Sequence, residues 1–223
     1  MNAIPSKLRD RPLYSYIVTT IKTIPPHYEL RQTGSAPNFA GGRITLCTCK
    51  HKDRATIRLS DDPGDPWKGV WIAGLTSKSE DPSRSLAYLM FVDRSFLTQH
   101  DIWESLPAQC REQKCASNSD IGDLYRPKEV ARRHPNDPAS YHAPKVGKHV
   151  HSTARDSSCW HGDIERWGKR DLPHRLLLGH DAQSYRWPIT RMILRLDAIG
   201  RSAHHAIYDS VREFIKDLRE FDP

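Results

Sequence analysis

The segment Ala36–Lys50 combines residue types that could hold a small ligand. A proline and the Gly41-Gly42 pair predict a turn, because proline fixes φ and glycine permits positive φ. An apolar, β-branched run follows, which carries two cysteines and ends on a lysine. Such a backbone can approach a ligand closely. The alternative is a glycine turn that leads into a strand whose cysteines fill core space.

A pocket for a nucleic-acid base needs an aromatic face, fixed donors and acceptors, and a cation for the phosphate. An asparagine can present a paired donor and acceptor to a base edge. The residues that we expect to contact a base are Asn38, Trp71, Ser77 and Tyr16. Those that we expect to contact phosphate are Arg43, Lys50 and Lys78. The alternative is that the tryptophan and the tyrosine only pack the core.

Cysteines and histidines also occur with single-residue spacing. Alternate residues of a strand face the same side, so Cys47, Cys49 and His51 would lie together. Cys159 and His161 repeat the spacing, and four such ligands would suit tetrahedral zinc. The pairs lack the CxxC spacing of zinc knuckles, so packing is the alternative. We expect no cofactor, and zinc is the exception that this pattern leaves open.

Three side chains are candidates for catalysis. Cys49 would need a neighbouring base and a lowered pKa to act as a nucleophile. Asp123 follows a glycine, which is also ordinary turn chemistry, and His151 shares a predicted strand face with His149. Walker, GxSxG, HExxH and dinucleotide motifs are absent, which excludes the common enzyme classes that carry them. Whether the chain is an enzyme stays open.

Charge and length bound the function further. The formal net charge of +7 favours contact with polyanions, above all nucleic acid. The first residues lack an apolar leader and no run of about 18 apolar residues exists, so we expect no signal peptide and no membrane partner. An odd number of cysteines predicts reduced thiols and a cytoplasmic location.

Apolar and β-branched runs predict a strand-rich chain. The expected strands are 13–20, 44–49, 55–59, the first half of 69–78, 86–92 and 175–180. Thr98 should cap a short helix, and Ile207 to Leu218 predict a C-terminal amphipathic helix. We therefore expect an α+β fold with peripheral helices, built on a curled, mostly antiparallel sheet or a small barrel. Residues 1–223 should form a single domain, with an irregular insertion at 110–148.

The order of motifs resembles the nucleotide-modification-associated domain 2 family of bacteria and phages. The similar pieces are Leu13–Val18, Ala36-Pro37-Asn38, Thr45-Leu46, Cys49-Lys50, Trp71-Ile72, Ser77-Lys78, Leu86–Val92, Gly122–Tyr125 and Arg175–Leu178. The family usually has Asp where this chain has Val70. The resemblance implies association with enzymes that alter or process modified DNA bases. A more distant similarity to PUA and EVE barrels implies a base held in an aromatic-lined pocket.

These observations leave three hypotheses open. The first is a basic, PUA-like module that binds DNA, a modified base or a nucleotide, beside DNA-modifying or restriction enzymes. The second is an enzyme of a nucleotide-modification pathway that uses cysteine, histidine or aspartate side chains. The third is a protein-interaction domain of a phage-defence or phage operon, whose basic charge is incidental.

Overall fold

The computed structural model describes residues 4–34, 36–77, 84–116, 123–144, 160–165, 174–195, 198 and 205–222. Its strands are β1 (Leu13–Val18), β2 (Ile21–Ile24), β3 (Glu29–Gln32), β4 (Thr45–Leu46), β5 (Trp71–Thr76), β6 (Leu86–Phe96), β7 (Leu176–Arg186), β8 (Met192–Leu194), β9 (His205–Tyr208) and β10 (Leu218–Glu220). Its α-helices are α1 (His51–Thr56), α2 (Gln99–Ser105), α3 (Ala108–Ala116), α4 (His161–Glu165) and α5 (Val211–Lys216). Short 3₁₀ turns lie at Ser6–Leu8, Ala40–Gly42, Glu129–Arg132 and Pro138–Ser140.

In the described ranges the main sheet has six strands in the order β4-β7-β6-β5-β1-β9. β1 pairs with β5 in parallel, whereas β1 with β9, β5 with β6, and β4 with β7 are antiparallel. The expected α+β fold with a curled, mostly antiparallel sheet and peripheral helices is confirmed. The strands predicted from the apolar runs at 13–20, 69–78, 86–92 and 175–180 are β1, β5, β6 and β7.

Chain contacts divide the protein into two compact units. Unit 1 comprises Met1–Thr33, Lys68–Val92 and Ala182–Pro223, and unit 2 comprises Gly34–Trp67 and Asp93–Asp181. The prediction of a single domain stays a prediction. Within 110–148, the described residues include the end of α3 and two 3₁₀ turns, so this stretch is not wholly irregular.

The core of unit 1 packs both faces of β5. Every residue of this strand is buried. A Cβ added to Gly74 would come within 2.0 Å of Cε1 of Tyr88, which requires glycine at this position. The Tyr88 hydroxyl in turn lies 2.7 Å from the Tyr16 hydroxyl. The close approach that Gly74 permits is therefore to an aromatic ring of the core.

Three predicted elements differ from those observed. The strand expected at 55–59 is wrong, because residues up to Thr56 belong to α1. The N–H of Ile57 donates to the carbonyl of Asp53 and so closes the last turn of this helix. The strand expected at 44–49 stops at Leu46. The C-terminal helix expected from Ile207 to Leu218 is shorter than predicted, because α5 comprises only Val211–Lys216. The Ser210 side chain caps it by accepting from the N–H of Glu213. No helix in the described part of the chain is long and apolar enough to cross a membrane.

Candidate functional site

A buried carboxylate holds the loop that follows β4. The side chain of Asp123 is fully buried. Its Oδ2 accepts from the Thr45 hydroxyl at 2.8 Å, and its Oδ1 accepts from the backbone N–H groups of Cys47 at 2.8 Å and Thr48 at 3.2 Å. Burial raises the pKa of Asp123, and these hydrogen bonds and the charge of Lys114 act against that rise. Both oxygens of this catalytic candidate therefore serve to position the loop.

A buried guanidinium holds the same loop from its carbonyl side. Arg54 is about 1% exposed. Its Nε donates to the carbonyl of Cys49 at 2.8 Å and its Nη2 to that of Cys47 at 2.6 Å. Its Nη1 donates to the carbonyl of Arg175. We call residues 47–50 the 47–50 loop. Asp123 accepts from N–H groups of this loop and Arg54 donates to its carbonyl groups, so the two side chains together fix its conformation.

The turn before β4 is built around a buried lysine. The Asn38 Oδ1 accepts from the N–H of Ala40 at 3.0 Å and from Nζ of Lys114 at 3.4 Å. Lys114 also donates to the carbonyl of Arg43 at 2.8 Å, and burial lowers its pKa. Asn38 itself is only 3% exposed. The structure therefore places the predicted base-reading amide inside the turn, as a partner of its backbone.

Helix α3 also packs closely against Gly41 of this turn. Gly41 has φ of +76°, and an added Cβ would lie 2.7 Å from Sγ of Cys110 and 2.8 Å from its carbonyl oxygen. Cys110 and Lys114, one turn apart on α3, are both buried. Of the glycine pair predicted to admit a ligand, Gly41 therefore admits a helix of the same unit, whereas a Cβ added to Gly42 would meet nothing within 4 Å.

The predicted phosphate contacts in unit 2 lie at its surface. The Nη2 of Arg43 is 3.2 Å from Oδ2 of Asp93, and the Nζ of Lys50 is 3.9 Å from Oδ2 of Asp53. The side chains of Arg43 and Lys50 are 19% and 25% exposed. The third, Lys78, lies outside the described residues. Arg43 and Lys50 could meet an anion only by sharing their carboxylate partners.

The remaining predicted base contacts belong to unit 1. Tyr16 is buried. Trp71 is also fully buried, and its Nε1 donates to the carbonyl of Leu8 at 2.9 Å. Its ring packs 5.0 Å from that of Phe91. Ser77 follows the end of β5 and is half-buried. In the described part of unit 1, the rings of Tyr16 and Trp71 therefore act as core.

The predicted zinc ligands do not share a strand face. Cys47 and Cys49 lie after β4, and His51 begins α1. Within the described ranges, no three His, Cys, Asp or Glu side chains are grouped so that they could hold a metal ion. His161 begins α4, whereas Cys159 lies outside the described residues. The zinc hypothesis therefore gains no support from these positions.

The thiols of the 47–50 loop are held protonated. Burial, reinforced by the charge of Asp123, raises the pKa of Cys49 to about 12. The same causes raise the pKa of Cys47 well above its usual value. A nucleophilic cysteine needs the thiolate, so the environment of Cys49 opposes the predicted role. The other catalytic candidate, His151, lies outside the described residues.

A second polar cluster in unit 2 was not predicted. The Nε2 of His51 lies 3.5 Å from Oδ1 of Asp163, whose Oδ2 accepts from the Tyr125 hydroxyl at 2.8 Å. The ring of His174 lies 4.6 Å from that of His51, edge to face. These side chains come from separate segments, so no local spacing could have revealed the cluster. A carboxylate close to an imidazole can support acid–base chemistry.

A charged groove of about 540 Å³ lies on unit 2. One wall is a face of α2, and the second is a face of α3 with helical spacing at 108, 111, 112 and 115. The third wall is formed by residues of the segment 126–132. The groove is lined by His100, Trp103, Glu104, Ala108, Arg111, Glu112, Cys115, Arg126, Pro127, Lys128, Glu129 and Arg132.

The arginine and lysine side chains of this groove lie on two of its walls, α3 and the segment 126–132. Of the described residues, four basic side chains line it: Arg111, Arg126, Lys128 and Arg132. Arg126 and Arg132 are exposed. The Nζ of Lys128 donates to the carbonyl of Ala139 at 2.8 Å, which holds this wall in place. Cations fixed on a concave surface can bind an anion with several contacts at once.

The groove was not predicted from the sequence, in which 110–148 was expected to be an irregular insertion. The signal was the recurrence of cations from Arg126 to Arg133.

Compared with protein-family models, with curated proteins and with solved structures, the chain shows no match. The resemblance to the nucleotide-modification-associated domain 2 family and to PUA-like barrels therefore stays a prediction.

Proposed function

We propose that this chain is a cytoplasmic nucleic-acid-binding module that works beside DNA-modifying or restriction enzymes, and that the charged groove receives its phosphates. The observation that carries the proposal is the convergence of Arg111, Arg126, Lys128 and Arg132 on one concave surface. Arginine suits phosphate because its planar donors can bind two oxygens together. The formal net charge of +7 supports the same class of ligand.

The shape of the groove favours a single strand. Its volume of about 540 Å³ is typical of a cleft for a small ligand. Unpaired nucleotides can be splayed into such a cleft, whereas the bases of a duplex are stacked and paired. Of the two rings on the α2 wall, Trp103 is only 8% exposed and packs in a core cluster with Ile102 and Leu106, whereas His100 is partly exposed. His100 is therefore the ring of this wall that is better placed to contact a base.

A binding assay with matched variants tests the proposal. Anisotropy of a labelled single-stranded oligonucleotide should rise with protein, and Arg126→Ala with Arg132→Ala should weaken binding by about tenfold or more, because a hydrogen bond to a charged group contributes about 1.5–3 kcal/mol. Lys22→Ala and Lys52→Ala are the controls, since both lysines are exposed and lie outside the groove. Equal losses in groove and control variants would remove the groove from the proposal.

A second candidate function is acid–base catalysis on a nucleotide at His51. The contact between His51 and Asp163 and the bond from Tyr125 to Asp163 favour it. Turnover of a labelled nucleotide panel should then be lost in His51→Gln while the folded state is kept. Product formation that persists in this variant would exclude His51. Blank binding and turnover assays, together with a copurifying protein, would favour an interaction domain instead.

A further inference from the structure

The charged groove carries carboxylates as well as cations. Among its described lining residues, Glu104, Glu112 and Glu129 stand with the four basic side chains. Carboxylates repel phosphates, so a site for the backbone alone has no use for them. A ligand that fits this lining offers both anionic oxygens and N–H donors. A nucleotide whose base carries an exocyclic amino group has both.

The three carboxylates are not equivalent. The Oε1 of Glu104 lies 3.2 Å from Nη1 of Arg111, so an internal ion pair occupies it. Glu129 lies on the wall that also carries Arg126, Lys128 and Arg132, whose positive charges offset its own. Glu112 lies on the groove-facing side of α3 and is exposed. It is the carboxylate best placed to accept a hydrogen bond from a ligand.

We propose that Glu112 accepts a hydrogen bond from the exocyclic amino group of a base, so that the groove selects cytosine over thymine in a single strand. Cytosine presents an amino donor at the position where thymine presents a carbonyl acceptor. A carboxylate accepts from the first and repels the second. The inference rests on the proposed function, because the phosphates of the same strand lie against the basic side chains of the groove.

Base selection acts through Glu112 on the α3 wall, whereas the affinity for the strand acts through Arg126 and Arg132 on the wall formed by 126–132. Arg126 and Arg132 contact the backbone and therefore contribute equally to every sequence. Glu112 contributes only where the base supplies a donor. The two effects can thus be separated by mutation. Glu112→Gln keeps the length of the side chain but removes its charge and adds a donor that suits the thymine carbonyl.

Paired homopolymers test the inference. The wild-type protein should bind an oligo-dC on the order of tenfold more tightly than an oligo-dT of equal length, because a charged hydrogen bond is gained with one and lost with the other. In Glu112→Gln this ratio should fall to about one. Glu213→Gln is the matched control, which should keep the ratio because Glu213 is exposed and lies outside the groove. Thermal unfolding of each variant checks that the fold is intact.

The other possible outcomes distinguish a failure of base selection from a failure of the proposed function. Equal binding of oligo-dC and oligo-dT that weakens in the Arg126→Ala, Arg132→Ala variant overturns base selection and leaves the proposed function standing. Binding to neither strand overturns both. A preference for oligo-dC that survives in Glu112→Gln, or inorganic polyphosphate bound as tightly as oligo-dC, also overturns the role of Glu112.

Discussion

Asp123 should be among the most costly positions to truncate in unit 2. Its carboxylate accepts from the N–H groups of Cys47 and Thr48 and from the hydroxyl of Thr45, all without solvent. Asp123→Ala leaves the two amides buried and without this acceptor. Each such group costs about 1–3 kcal/mol, so the variant should lose roughly 2–6 kcal/mol of unfolding free energy.

Asp123→Asn is the control for this loss. Its carbonyl oxygen can still accept from the two amides, and its amide can donate to the Thr45 hydroxyl, so the expected loss is about 1 kcal/mol. The midpoint and slope of urea unfolding, followed by circular dichroism, measure both variants. An Asp123→Ala variant that loses less than about 1 kcal/mol, or no more than Asp123→Asn, would refute the role assigned to the carboxylate.

The pKa of Asp123 adds a pH dependence with a defined sign. Burial raises this pKa above its usual value, so the folded state holds the proton more tightly than the unfolded state. The stability that this difference contributes is fully present below the pKa that Asp123 has in the unfolded state. It is lost as pH rises through the pKa that Asp123 has in the folded state. The stability advantage of wild type over Asp123→Asn should therefore shrink from acid toward neutral pH. An advantage that grows over this range contradicts the reasoning.

Three further predictions concern packing, thiol reactivity and the second polar cluster. Gly74→Ala should lower the unfolding free energy by about 1–3 kcal/mol, since its Cβ would overlap the Tyr88 ring, and an unchanged melting temperature would refute this. Alkylation of Cys49, followed by mass spectrometry at neutral pH, should be far slower than that of a free cysteine and should accelerate as pH rises toward the pKa of about 12. Rapid labelling at neutral pH would refute the protonated thiol. Tyr125→Phe should cost about 1–3 kcal/mol, because Asp163 loses a buried donor, and a melting temperature equal to that of wild type would contradict it.

The predictable parts of the fold were those that local pattern determines. β1, β5 and β6 are runs of apolar and β-branched residues that the core buries on both faces. The cap at Thr98 marked the start of α2, and its hydroxyl accepts from the N–H of Asp101 at 3.1 Å. In these segments local preference and tertiary packing agree.

The failures have tertiary causes. The segment after the 47–50 loop alternates polar and apolar residues as a strand does. It begins as α1 instead, because the buried Arg54 side chain donates to the carbonyls of Cys47 and Cys49. Asn38 resembled a base reader, but Lys114, far along the chain, makes it part of a turn. α3 is too polar for its sequence to show which face is buried. The candidate site is formed by segments that are distant in sequence, and the spacing of residues within one segment does not show which segments meet.

The salt dependence of single-strand binding tests the central claim most directly. Arg126 and Arg132, both exposed arginines of the charged groove, should each contribute about −0.7 to the slope of log K against log salt on a single strand, so the wild-type slope should be about −1.4 or steeper. The Arg126→Ala, Arg132→Ala variant should make this slope shallower by about 1.4, whereas Lys22→Ala should leave it unchanged. A slope near zero, or one that is the same in wild type and the groove variant, would contradict the account.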